Sequence, residues 1–118
     1  MMKSEKTGIT LIGVGGIGSN LLGSIAPAIS SGPLVESLGG ISLRIIDSDI
    51  VETRNLLMGQ RFTNTDVGKR KVDAIKDSIS DFESELLEVI PIADDVRSSA
   101  DIPISDLVIV CVDNMDAR

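Results

Sequence analysis

Gly8-Ile9-Thr10-Leu11-Ile12-Gly13-Val14-Gly15-Gly16-Ile17-Gly18 is the stretch that decides the fold. Its first half is a short apolar run ending in glycine. That suits a buried parallel strand, which is apolar on both faces. Its second half, Gly13 to Gly18, satisfies G-x-G-x-x-G. Ile17, Leu21, Leu22, Ile25 and Ile29 then recur at helical spacing, and Pro27 is expected to kink or end that helix. Strand, glycine turn and helix in this order give each glycine a steric task. The first permits the tight turn, the second lets a phosphate approach the backbone, and the third lets helix and strand pack closely. N–H groups at the helix start then face the anion. Gly13, Gly15, Gly16 and Gly18 are therefore expected to bind nucleotide; the alternative is a purely structural turn.

Outward from this turn, residues 31–40 are rich in breakers and read as a loop. Residues 41–47 form a second strand ending on an acid. Thr65 or Asp66 is expected to cap a helix through Asp81, with Val72, Ile75 and Ile79 on its inner face. Leu86 to Ile92 reads as a third strand, placed at an edge by Pro91. Asp106 to Val112 is the clearest buried strand. Strands alternating with helices imply a parallel sheet with right-handed crossovers. The expected fold is one α/β domain over residues 1–118, a Rossmann-like three-layer arrangement with about four strands in the order 3-2-1-4. Ligands in such sheets bind beyond the carboxyl ends of the strands, where Gly13–Gly18, Asp47 and Asp113 all fall.

Composition narrows the function. The 118 residues carry a formal net charge of −7, a sequence pI near 4.4 and two aromatic residues, Phe62 and Phe82. Such a surface repels a phosphate backbone and lacks stacking platforms, so no nucleic-acid partner is expected. The acidity suits a basic partner or simple solubility. One cysteine, Cys111, and no histidine exclude an internal disulfide, a Cys/His zinc cage and a histidine-based triad. Cys111 lies in an apolar strand and reads as an inert core thiol. No apolar run reaches the roughly 18 residues of a membrane span, and Met1 to Thr7 is too short and polar for a signal peptide. The expectation is a cytoplasmic protein without a membrane partner.

Asp47 ends the second strand, where an acid can accept hydrogen bonds from ribose hydroxyls. Its gap from Gly18 is longer than usual, and the 31–40 segment accounts for it. Asp47-Ser48-Asp49 also suits an ordinary turn.

Beyond Asp47 the chain departs from a generic dehydrogenase. Asp47-Ser48-Asp49-Ile50-Val51-Glu52-Thr53-Arg54-Asn55-Leu56 resembles the D-x-D-x-V-x-x-x-N-L signature of ThiF, MoeB, HesA and ubiquitin-activating enzymes. Val67-Gly68-Lys69-Arg70-Lys71 is similar to their V-G-x-x-K, and Asp113-Asn114-Met115-Asp116-Ala117-Arg118 to their D-N-x-x-x-R. With the glycine turn, four blocks stand in the family order and cover nearly the whole chain. The resemblance implies an ATP- and Mg2+-using adenylyltransferase. It activates a carboxylate, typically the C-terminus of a ubiquitin-like or sulfur-carrier protein, as an acyl-adenylate. Asp47 would hold the ribose. Asn55 and Lys71 would contact phosphates, with Lys71 nearest the α-phosphate, and Asp113 would help hold the metal. A carboxylate nucleophile is already ionised, so a site without histidine can run this chemistry by positioning and charge stabilisation. Each residue also has a plainer reading: Lys71 a solvated helix lysine, Asn55 a cap for a short helix at 55–60, Asp113 a cap after the fourth strand.

Two departures matter. The family has N-L-x-R-Q, whereas Met58 and Gly59 occupy its arginine and glutamine positions. A one-residue insertion restores Gln60. Arg61, three residues past Met58, would share its helix face and is expected to reach the same phosphate as a further catalytic group. Family domains also continue beyond D-N-x-x-x-R, so the chain reads as truncated, covering their N-terminal half only. The strand at 106–112 would then lack cover, and a homodimer or partner subunit over it is expected. Three functions follow: a carboxylate-activating enzyme, a non-catalytic nucleotide-binding module or split subunit, and an NAD-binding Rossmann protein. The last lacks a proton donor such as His or Tyr.

Overall fold

Strand β1 (Thr7–Ile12) lies between two parallel neighbours, because its Ile9, Leu11 and Ile12 need apolar cover. The structure, a computed structural model, describes residues 6–53, 56, 62–96 and 101–111. The other strands are β2 (Ile41–Ile46), β3 (Leu87–Ile92) and β4 (Leu107–Val110). All pairings are parallel, in the order β3-β2-β1-β4. This is the Rossmann-like α/β sheet expected from the sequence. The register sets Ile12 level with Ile46 and Val110, and Ile46 level with Ile92. All four carboxyl ends therefore open on one side, which is where such sheets bind ligands.

The helices are α1 (Gly16–Ile29), α2 (Pro33–Ser37) and α3 (Lys71–Ser78). Leu22 and Ala26 of α1 and Val72, Ala74 and Ile75 of α3 pack in one cluster with Leu11, Leu43, Ile45, Leu87 and Val89 of the sheet. Alternation along the strands explains the set: residues two apart share a face. Each large side chain so buried stabilises the fold by on the order of 2 kcal/mol. The residues between them turn to the opposite face, which is partly polar. There Thr10 shares a hydrogen bond with Ser105, and the Arg44 guanidinium reaches the Ile104 carbonyl.

The two sheet edges differ. The Ile41 and Asp47 N–H groups donate to the Leu86 and Ile92 carbonyls, so Leu87, Val89 and Pro91 turn their backbone groups outward. Leu87 exchanges hydrogen bonds with Ser84 in both directions. The Val89 N–H donates to Glu83 Oε1 at 2.9 Å, and its carbonyl accepts from Lys76 Nζ at 2.7 Å. Pro91 has no N–H to offer. No N–H of β3 that turns outward is thus left to an incoming strand. On β4, Leu107, Val108 and Val110 are 51%, 39% and 62% exposed. Only Ile109 of that strand packs against the core.

Several expectations need correction. The 31–40 segment is not all loop. Pro33 opens α2 at the first helical position, where its fixed φ and missing N–H cost nothing, and Val35 anchors it in the core. The helix expected from Thr65 or Asp66 to Asp81 is shorter. Asn64–Asp66 is a 3-10 turn, Gly68 at φ 93° breaks the chain, and α3 begins only at Lys71. Asp81 lies in a second 3-10 turn, Ser80–Phe82. Val72, Ile75 and Ile79 are buried as expected. Pro27 sits inside α1, which ends two residues later. The strand read as the clearest buried one is mostly exposed, because no described element covers it.

Candidate functional site

The glycine turn is held by backbone contacts only glycine permits. Gly13 adopts φ 92°, and its N–H donates to the Ile46 carbonyl at 2.8 Å. A Cβ built on Gly18 would stand 2.0 Å from the Gly13 carbonyl oxygen, so α1 begins hard against the end of β1. The side chain of Val14 is fully buried beneath the turn. Gly15 caps α1, whose first turn has no acidic side chain and no side-chain cap. The partial positive charge of that helix end is therefore not neutralised from within its own first turn.

Asp47 follows β2 and faces this turn. Its Oδ2 accepts the Val14 N–H at 2.9 Å, and its Oδ1 accepts the Asp49 N–H at 2.8 Å. The turn reading of Asp47 holds, and the same carboxylate also meets the glycine loop. Each oxygen keeps lone-pair capacity for a further donor, such as a ribose hydroxyl.

Lys71 is brought to the same place by a short antiparallel ladder. Ile50 bridges Arg70. The Val51 N–H donates to the Lys69 carbonyl, the Gly68 N–H to the Val51 carbonyl, and the Lys71 N–H to the Asp49 carbonyl at 2.9 Å. Lys71 is 6% exposed, which rules out the solvated helix lysine. Its Nζ lies 3.5 Å from Asp49 Oδ2, longer than the roughly 2.7–2.9 Å of a charge-assisted hydrogen bond. Among the described residues Asp49 is its only acidic partner. A buried ammonium with three donors and one distant carboxylate is short of acceptors. An anion with several oxygens, such as a phosphate, would supply them, so these residues fit a nucleotide.

The structure thus links Val14 of the glycine turn, Asp47, Asp49 and Lys71 through one chain of contacts, with Gly18 packed against Gly13; Gly15 and Gly16 stand at the start of α1. Asn55, Arg61 and Asp113 lie outside the described residues. Among those described, no three His, Cys, Asp or Glu side chains gather as a metal-holding group. Sequence reasoning gave no role to Asp49, although the repeated acid of Asp47-Ser48-Asp49 was its signal. Ser48 likewise hydrogen-bonds Asp95, a pair without local sequence spacing. The Cys111 N–H donates to the Ile12 carbonyl at 2.7 Å. Burial pushes the Cys111 thiol up from its ordinary value, as suits a core residue.

Comparison with known proteins places this geometry. The ThiF family model matches residues 1–118. No curated protein sequence gives a significant match. Among solved structures, E. coli MccB with ATP is 29% identical with a TM-score of 0.66, over 93% of this chain and 31% of that one. E. coli MccB with AMPCPP and MccA is 30% identical with a TM-score of 0.66, over 92% and 30%. PaaA is 28% identical with a TM-score of 0.64, over 88% and 30%. The chain spans about a third of the length of these structures. Since the family match runs from the first residue to the last and the sheet order agrees with it, this chain belongs to the ThiF family.

Proposed function

We propose that this chain is the adenine-nucleotide-binding part of an adenylyltransferase that activates a carboxylate with ATP and Mg2+. The observation that carries the reading is the buried, acceptor-poor Lys71, tied through Asp49 and Asp47 to the glycine turn. The MccB structures with ATP, and with AMPCPP and MccA, support it as similar proteins solved with a nucleotide and, in the second, with MccA.

In this reading the backbone of Gly13, Gly15, Gly16 and Gly18 lets the phosphates approach, and Asp47 accepts the ribose hydroxyls. A carboxylate oxygen attacks the α-phosphorus, a new P–O bond forms, and pyrophosphate leaves with the electrons of the broken bond. Lys71 stabilises the charge that grows on the α-phosphate oxygens, a role well served by a desolvated ammonium. Asn55 and Arg61 are assigned to the phosphates, Arg61 in place of the family arginine lost at Met58. Asp113 is assigned to Mg2+, which would neutralise phosphate charge. The carboxylate donor is proposed as the C-terminus of a ubiquitin-like or sulfur-carrier protein. A second copy or a partner subunit is proposed over the 106–112 strand. No helix among the described residues is long and apolar enough to cross a membrane, and the proposed setting is the cytoplasm.

The loss of the family arginine at position 58 favours a second reading, a nucleotide-binding module without turnover. Calorimetric titration with ATP–Mg, AMP and NAD, followed by pyrophosphate exchange with candidate carrier proteins, tests both. ATP binding with exchange supports adenylation, and binding without exchange supports the module. Preference for NAD would overturn the reading.

A further inference from the structure

We propose that Asp49 is a positioning residue: its carboxylate holds the Lys71 ammonium inward, in fixed relation to the glycine turn, before any phosphate arrives. The inference rests on the reading that Lys71 meets a phosphate.

The geometry is asymmetric in an informative way. The Lys71 side chain is 8% exposed and the Asp49 side chain 66%. An ion pair that served stability alone would gain little here, because an exposed acid is screened by water while the lysine has lost its hydration. A buried ammonium without a counter-charge swings its long stem to solvent. Asp49 closes that exit, and it does so from a backbone held at both its N–H and its carbonyl. Its N–H is held by Asp47 Oδ1 at 2.8 Å, and its carbonyl accepts the Lys71 N–H at 2.9 Å. The other oxygen of Asp47 holds the Val14 N–H at 2.9 Å. Val14, Asp47, Asp49 and Lys71 therefore form one chain of contacts, in which the lysine is located relative to the amides of the glycine turn. Asp66 and Asp77 are occupied with Lys69 instead.

The test uses the full chain as wild type, Asp49→Asn and Asp49→Glu. Calorimetry measures ATP and adenosine affinity. Acetic anhydride labelling, mapped by mass spectrometry, measures the reactivity of Lys71 against Lys69. In Asp49→Asn, ATP affinity is expected to fall roughly tenfold with adenosine affinity unchanged, and Lys71 to be acetylated several-fold faster while Lys69 is not. Asp49→Glu is expected to restore most of the ATP affinity. An equal loss for ATP and adenosine with Lys71 labelling unchanged would mean damage to the fold alone and overturn the proposal. A rise in ATP affinity would also overturn it, making Asp49 a competitor of the phosphate. Should the wild type bind neither ligand, the nucleotide reading falls and labelling alone decides the role of Asp49: acceleration sustains it, no change ends it.

Discussion

The Gly13 carbonyl oxygen occupies the space a side chain at Gly18 would need: a Cβ there would lie 2.0 Å from that oxygen and 3.3 Å from the Cys111 Cβ. The first contact is with backbone at the end of β1, and it cannot yield without moving the glycine turn. Gly18→Ala is therefore expected to destabilise the fold by about 3 kcal/mol and to abolish nucleotide binding. Gly32, at φ 110° and ψ 166°, holds a backbone conformation that favours glycine, but a Cβ there meets open space. Its alanine variant should cost about 2 kcal/mol of backbone strain and leave binding intact. Urea denaturation and calorimetry compare the two, and nucleotide binding retained in Gly18→Ala would contradict the close approach.

Lys71→Met should separate stability from binding. The substitution replaces a buried charge by an apolar side chain of similar length, which is often neutral or stabilising, and the Asp49 carboxylate left behind is mostly solvated. The midpoint of unfolding should hold or rise, while ATP affinity falls by about tenfold or more. A variant that binds ATP like wild type would remove Lys71 from the site.

The clasp at Glu83 predicts a pH dependence. Burial works to raise the Glu83 carboxyl. The hydrogen bond from Lys76, the one from the Val89 N–H and the Lys76 charge together outweigh it, holding the group below its ordinary 4.5. Its contribution to stability is complete above that value and is lost as pH falls through the lower folded value. Glu83→Gln should therefore lower stability at neutral pH and flatten the acid limb below about 4.5. Unfolding midpoints measured from neutral pH down to about pH 3 check this, and parallel profiles for the two proteins would refute it.

How much of this was legible beforehand depended on the range of the interactions involved. The strand order followed from short apolar runs alternating with helical spacing, and the edge position of β3 followed from Pro91 alone. The start of α3 was misplaced because Thr65 and Asp66 make good local caps, and nothing near them reveals that Gly68 turns the chain before Lys71. The short helix at Pro33 hid among breakers because a single buried side chain, Val35, anchors it. At the site, the close approach at Gly18 and the turn at Asp47 were legible because both are local, whereas the Asp47 contact to the distant Val14 N–H was not. Burial of Lys71 was not, because it depends on a ladder between segments some twenty residues apart, and Asp49 became visible only as the partner of that buried charge. Asn55, Arg61 and Asp113 stand outside the described residues.

The exposed Leu107, Val108 and Val110 predict association. Sedimentation velocity at micromolar concentration should show a species larger than the monomer, and Val108→Glu with Val110→Glu should return it to monomer without loss of helical and strand signal. A monomeric wild type would count against the surface.

The closed flank of the sheet limits what such association can build. Ser84, Glu83 and Lys76 already answer the outward groups of Leu87 and Val89, and Pro91 offers no donor, so among the described strands the open edge is that of β4. Two copies that meet there turn only their β3 edges outward. Joining of this kind stops at a pair instead of elongating into a filament, a safeguard carried by four residues, Lys76, Glu83, Ser84 and Pro91, at the opposite edge of the sheet.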